Sequence, residues 1–200
     1  YCEAIQNQLI TEVYPLIEKI KTALSDCRIS TIAIDILEMT EKNELEECVD
    51  MFENTILTKN KKLYSSVFTG IQCLVFLKEN CIQNVSFEKF FSSIKYLDIE
   101  YSKTLWIHLT PLLRQPFFAK EETQRYITVS ISKCIDIYED LASQGERYYL
   151  DGLYNCVEAL HQYYKSVKTT GTEETDELKQ CVDKVKKIKN YEIANIWSYE

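Results

Sequence analysis

Glycine and proline are both scarce, four of one and three of the other in 200 residues. A sheet-rich chain of this length uses more of both in its turns, so long amphipathic helices are the expectation. Histidine is scarcer still, with only His108 and His161. Neither has an H-E-x-x-H or other metal-ligand spacing, and each reads as a helix-surface or half-buried side chain rather than a base. No C-x-x-C pair exists, which leaves a zinc ribbon or a thioredoxin-type centre unsupported. The glycines are isolated, so no phosphate-cradling loop is present, nor is a G-x-S-x-G elbow. No apolar run reaches the length of a bilayer crossing. Basic charge is in deficit: the net charge of −8 opposes sequence-independent binding to nucleic acid and to an anionic membrane surface. Together these absences argue against an enzyme, a cofactor, a metal ion, a nucleic-acid partner and a membrane partner.

What is present is a series of apolar stripes at three- and four-residue spacing. The first runs through Leu9, Val13, Leu16, Ile20 and Leu24, with Pro15 kinking or dividing it. A second passes through Ile32, Ile36 and Met39. A third carries Leu45, Cys48, Val49, Phe52 and Ile56, and the polar run Thr58 to Lys62 ends it. A fourth holds Leu63, Val67, Ile71, Leu74 and Leu77. Ser86 is placed to cap a helix through Phe90, Ile94 and Leu97. Pro111 and Pro116 then punctuate the chain. A long helix follows through Ile127, Ile131, Cys134, Tyr138 and Leu141, with Gly145 as its C-terminal cap. Another presents Leu153, Cys156, Val157, Leu160 and Tyr164, and Lys168 to Thr172 form a loop. The last strong stripe holds Leu178, Cys181, Val182, Val185 and Ile188.

The eight cysteines are even in number and scattered, which suggests disulfides and an oxidising compartment. The start at Tyr1-Cys2 fits removal of a signal peptide or a trimmed chain. The sequon Asn84-Val85-Ser86 fits secretion, with Asn84 as the glycosylation site. The alternative is eight buried thiols in a cytosolic protein. Cys27, Cys48 and Cys73 lie 21 and 25 residues apart, and Cys134, Cys156 and Cys181 lie 22 and 25 apart. Flanking residues echo each other, as in Leu45-Glu46-Glu47-Cys48-Val49-Asp50 and Leu153-Tyr154-Asn155-Cys156-Val157-Glu158. The pattern predicts an all-α, disulfide-braced bundle built from two related three-helix modules, 1–100 and 101–200.

Two helices joined by a short loop face each other at positions equidistant from it. The midpoint of Cys48 and Cys73 falls at Asn60-Lys61, and that of Cys156 and Cys181 at Lys168-Thr169. Both pairs are therefore expected to bond, each worth roughly 3 kcal/mol in the chain-entropy model. Cys2, Cys27, Cys81 and Cys134 have three possible pairings. Cys27 with Cys134 across a pseudo-two-fold axis, leaving Cys2 with Cys81, is one of them.

Eight acidic residues lie between Asp35 and Glu53, most simply a solvated face. Lys179, Lys184, Lys186, Lys187 and Lys189 make the last stripe basic, able to pair with that face or contact a partner, and most simply exposed solubilising charge. The fourteen tyrosines include Tyr148, Tyr149, Tyr154, Tyr163 and Tyr164, read as core or half-core ahead of a binding surface. Phe87, Phe90, Phe91, Phe117 and Phe118 read as core.

The paired cysteine–tyrosine–cysteine arrangement resembles the bicycle effectors of gall-forming aphids. Cys48, Tyr64 and Cys73 match in the first half, and Cys156, Tyr163 or Tyr164, and Cys181 in the second. Tyr64 and Tyr164 stand at different distances from the preceding cysteine, a departure from a strict repeat. The resemblance implies a salivary protein delivered into plant tissue, of unknown molecular activity. With no catalytic motif present, the leading expectation is a secreted non-enzymatic effector that binds a host macromolecule, a host protein first. The second expectation, from the apolar helix faces alone, is a secreted carrier of a small apolar ligand.

Overall fold

The computed structural model describes residues 45–75, 82–83, 85–97, 99–144, 149–189 and 191–197, and among these the structure is wholly helical. Eight α-helices follow in order: α1 Leu45–Leu57, α2 Tyr64–Val75, α3 Glu88–Ser93, α4 Ile99–Leu113, α5 Glu121–Ser143, α6 Leu150–Thr170, α7 Asp176–Val185 and α8 Tyr191–Ile196. Single turns of 3-10 helix occupy Lys61–Leu63, Ile94–Tyr96 and Pro116–Ala119. The stripes expected through Leu9 and Ile32, the cap at Gly145, Cys2, Cys27, Cys81, Asn84 and the side chain of Cys73 lie outside the described residues.

The helices close a circuit. α1 packs on α2, α2 on α4, α4 on α6, α6 on α5, α5 on α3, and α3 returns to α1, while α7 lies on α5 and α6, and α8 on α6. One continuous apolar core fills this circuit. The stripes read from the sequence supply it: Cys48, Val49, Phe52 and Ile56 from α1, Ile127, Ile131, Cys134 and Tyr138 from α5, and Leu153, Val157 and Leu160 from α6 are all buried. The five phenylalanines are buried too. They meet edge to face, Phe52 on Phe90 at 6.0 Å and Phe87 on Phe118 at 5.1 Å.

Buried polar groups join the helices. Gln124, fully buried in the first turn of α5, donates to the carbonyls of Ala119 and Glu173 and accepts from the amide of Thr175. Thr175 in turn caps α7 by accepting from the Leu178 amide. Tyr163 of α6 donates to the Phe118 carbonyl at 2.6 Å, and Ser130 of α5 to that of Phe91 at 2.7 Å. Gln115 reaches the last carbonyls of α2, Leu74 and Val75.

Several expectations change. Pro111 does not end a helix: it lies inside α4, on its exposed side, so the amide bond it removes is one that water can replace. Ser86 does not cap α3, since Phe87 occupies that position without a side-chain cap. The junction expected between residues 100 and 101 lies within α4. α7 packs mainly on α5, whereas its counterpart α2 packs mainly on α4, so the two cysteine-bearing pairs sit in different surroundings.

The expected Cys156–Cys181 bond is not formed, and no disulfide occurs among the described residues; Cys48, Cys134, Cys156 and Cys181 are all buried. The reason is the loop. α6 runs on to Thr170, where Gly171 closes it at φ 70. Cys156 is therefore roughly four turns back from its end, while Cys181 is in the second turn of α7. Equal distance holds instead across the α5–α6 connection, where Cys134 and Cys156 both stand eleven residues from Gly145, and Tyr138 and Gly152 seven.

That second pair is in close contact. A Cβ on Gly152 would collide with the ring of Tyr138. Helix propensity alone favours alanine over glycine by roughly 1 kcal/mol. The ring is held from both sides, however, and overpacking costs about 1–3 kcal/mol. Gly152→Ala is expected to lower the urea midpoint, and a higher midpoint would show that Tyr138 swings aside freely.

Candidate functional site

The two histidines are placed by packing. His108, half-buried in α4, stacks on Phe68 at 5.1 Å, and its Nδ1 lies 3.0 Å from the Gln72 amide. Burial lowers its pKa. His161 is buried in α6 with its ring 4.6 Å from that of Trp197. Among the described residues no group of His, Cys, Asp and Glu is arranged to hold a metal ion, and no helix is long and apolar enough to cross a membrane.

The charged stretches separate. Glu46, Glu47 and Asp50 are exposed on α1. Lys184 pairs with Asp136 of α5 rather than with that acidic face. Lys186 lies over the Trp197 ring at 5.3 Å. Of the tyrosines, Tyr163 is buried, Tyr149 and Tyr164 are half-buried, and Tyr154 is 40% exposed.

Three thiols meet where α5, α6 and α7 come together. Burial pushes Cys134 up to about 11, although the facing indole of Trp106 pulls the other way. That indole N–H has no good acceptor, so its contact with the sulfur is a weak one. Burial also raises Cys156 well above its ordinary value, and the neighbouring thiols of Cys134 and Cys181 add to the effect. Cys181 is pushed up to about 11 against a contact with Ser132. Such thiols are poor nucleophiles at neutral pH.

Two clefts, each of about 610 Å³, open side by side along α5 and share Lys95. The first lies between α3 and α5, walled by Phe91, Tyr126 and Val129 and rimmed by Glu88, Glu122 and Lys133. The second lies where the turn after α1, the Ile94–Tyr96 turn and α5 converge. Lys59, Lys61 and Lys95 rim it, Tyr96, Ile137 and Tyr149 wall it, and Ser102, Cys134 and Tyr138 form its inner face. Ser102 and Tyr138 are joined by a short hydrogen bond between their hydroxyls.

The sequence reading did not mark these clefts. Their one local signal was the polar run after α1, which has no glycine where the helix ends. That end is a Schellman closure: Asn60 N–H bonds the Thr55 carbonyl at 3.2 Å and Lys59 N–H that of Ile56 at 3.0 Å. Lys59 therefore takes φ 52, the left-handed region, and is alone among the described non-glycine residues in doing so.

No family model, no curated protein and no solved structure matches this chain.

The raised thiols give a pH dependence for the reduced protein. A thiol whose folded pKa exceeds its unfolded value stabilises the fold fully below the unfolded pKa and loses that contribution as pH rises toward the folded one. For Cys134 and Cys181 the window is from 9 to about 11. Unfolding free energy is expected to be level from pH 7 to 8.5, then to fall by roughly 1.4 kcal/mol per pH unit for each thiol titrating. Urea titrations across this range check it, and a flat profile to pH 10.5 would contradict burial of reduced thiols.

Proposed function

We propose that this protein is a secreted, non-enzymatic effector of the bicycle type that acts by binding a host protein. The supporting observation is the double cleft along α5. Three large apolar side chains stand exposed on it, Tyr96 at 52%, Val129 at 42% and Ile137 at 37%. Val129, Lys133 and Ile137 follow at four-residue spacing, a stripe on the outer face of a helix whose inner face is fully packed. Apolar groups surrounded by charges of both signs suit a protein partner better than a polyanion. The carrier reading has less support, because buried side chains fill the core and the clefts lie at the surface.

The stripe makes the proposal testable. Val129→Glu with Ile137→Glu places two charges on the cleft without touching the core, and Ile107→Glu, at a 55% exposed position on α4, serves as control. A partner isolated from host plant tissue and then produced recombinantly is expected to bind the wild type and the control directly. The double variant should bind at least tenfold more weakly. Equal binding by all three, or no direct binding by a purified candidate, would overturn the reading.

Secretion brings an oxidising compartment, so the proposal includes disulfides and the duplicated origin of the two cysteine-bearing helix pairs. Cys48–Cys73 is supported by the packing of α1 on α2 about the turn at residues 58–63. For Cys156 the sequence spacing favours Cys181, and the helix register favours Cys134, which stands opposite it across the α5–α6 connection. Non-reducing peptide mapping is expected to link Cys156 to Cys134. A link to Cys181 would restore the sequence pairing and require α7 to shift along α6. Free thiols at all of these positions would return the cytosolic alternative.

A further inference from the structure

We infer that the lysine-rimmed cleft between the α1–α2 turn and α5 is a binding site for a small amphipathic organic anion, held at Lys59 and Lys95 with its apolar body against Tyr96, Ile137 and Tyr149. The cleft shares Tyr96 and Ile137 with the proposed protein-binding face, and small probes added to the chain alone test it separately.

Charge is the first ground. The chain carries −8 overall, yet among the described residues this cleft gathers Lys59, Lys61 and Lys95 against one carboxylate, that of Glu100. Among the described residues neither Lys59 nor Lys95 has a carboxylate partner. Lys95 lies over the ring of Tyr96 at 4.7 Å, which holds the ammonium at the rim while leaving its hydrogens available to an oxyanion.

Backbone strain is the second ground. A helix that closes in the Schellman manner takes glycine at the left-handed position by default, because a side chain there costs about 1 kcal/mol. This chain keeps a lysine at that position, φ 52. Strain of this kind gathers at ligand sites, where side-chain chemistry outweighs the backbone cost.

Shape is the third. About 610 Å³ is within the range of pockets that take drug-sized molecules. Aromatic and aliphatic walls with cations at the rim match a carboxylate or phosphate monoester bearing an apolar tail or ring. Inorganic phosphate would leave the walls uncovered. The inner face adds the hydroxyls of Ser102 and Tyr138, already bonded to each other, and therefore makes no strong demand for a polar tail.

The test uses the full chain and two naphthalene probes, anionic 8-anilinonaphthalene-1-sulfonate and its neutral analogue N-phenyl-1-naphthylamine, followed by fluorescence. The anion is expected to bind at one site per chain, and the neutral probe at least tenfold more weakly. Dodecanoate and dodecyl phosphate should displace the anion, and inorganic phosphate should not. Lys59→Gly and Lys95→Met should each raise its Kd about three- to tenfold, while Lys179→Met on α7 leaves it unchanged. Lys59→Gly should also unfold at an equal or higher urea concentration, because it relieves the left-handed lysine. Absence of binding, equal affinity for the two probes, or Kd values unchanged in both cleft variants would overturn the site. A Lys59→Gly protein that is less stable but binds as before would assign the lysine to the helix end, where it complements the dipole, and would overturn the proposal as well.

Discussion

The structure turns on the position of one ring. Tyr138 of α5 lies against Gly152 of α6, where no larger residue fits, and its hydroxyl bonds to Ser102 of α4. One side chain thereby touches three helices of the circuit. Burial raises the Tyr138 pKa, so its proton stays on the phenol and the contact remains a neutral hydrogen bond through the physiological range. Cys134 one turn before Tyr138 and Cys156 one turn after Gly152 continue the same interface. The thiol cluster is therefore an extension of the α5–α6 seam rather than a separate feature.

This seam also explains which parts of the fold were legible in the sequence. α1, α5, α6 and α7 each bury one face, and a one-sided stripe is what helical periodicity detects. α4 buries one face as well, with Leu105, Trp106, Leu109, Leu112 and Leu113. It was missed because the proline on its exposed side, Pro111, signals an end that does not occur. The α6–α7 loop was misplaced by a few residues for a related reason. Lys168, Thr169 and Thr170 are polar, as loop residues are, yet they form the solvated last turn of α6, and the helix stops only at Gly171, which supplies the left-handed conformation. Local polarity marks exposure, and only backbone chemistry marks a stop.

The clefts were less legible still. Each draws its lining from segments far apart in the chain, Lys59 beside Lys95 and Ile137 in one of them, and no spacing rule connects such positions. What the sequence did contain was a missing glycine: a helix ending at Lys59-Asn60 where the closure asks for Gly-like geometry. The signal has meaning only once the closure is known, since a polar run after a helix is otherwise ordinary solvated loop. The cysteine arithmetic depends on the same knowledge. Equal spacing from a loop needs the correct loop: α6 runs on to Thr170, and the α5–α6 connection offers Cys134 as a second equidistant partner for Cys156.

The cleft and the thiols share a wall, which gives the two proposals a common mechanical basis. Cys134 contributes to the inner face of the lysine-rimmed cleft and neighbours Cys156 on the other side. Drawing Cys134 and Cys156 together would tighten the α5–α6 seam, and the Tyr138 ring, already in contact with Gly152, has no space to give in that direction. On the other side it is joined to Ser102. Cys134 and Tyr138 are therefore common to the proposed seam bond and the proposed ligand cleft. Shear along packed helices of this kind needs only sub-ångström shifts to be felt, because a close-packed core transmits displacement rather than absorbing it.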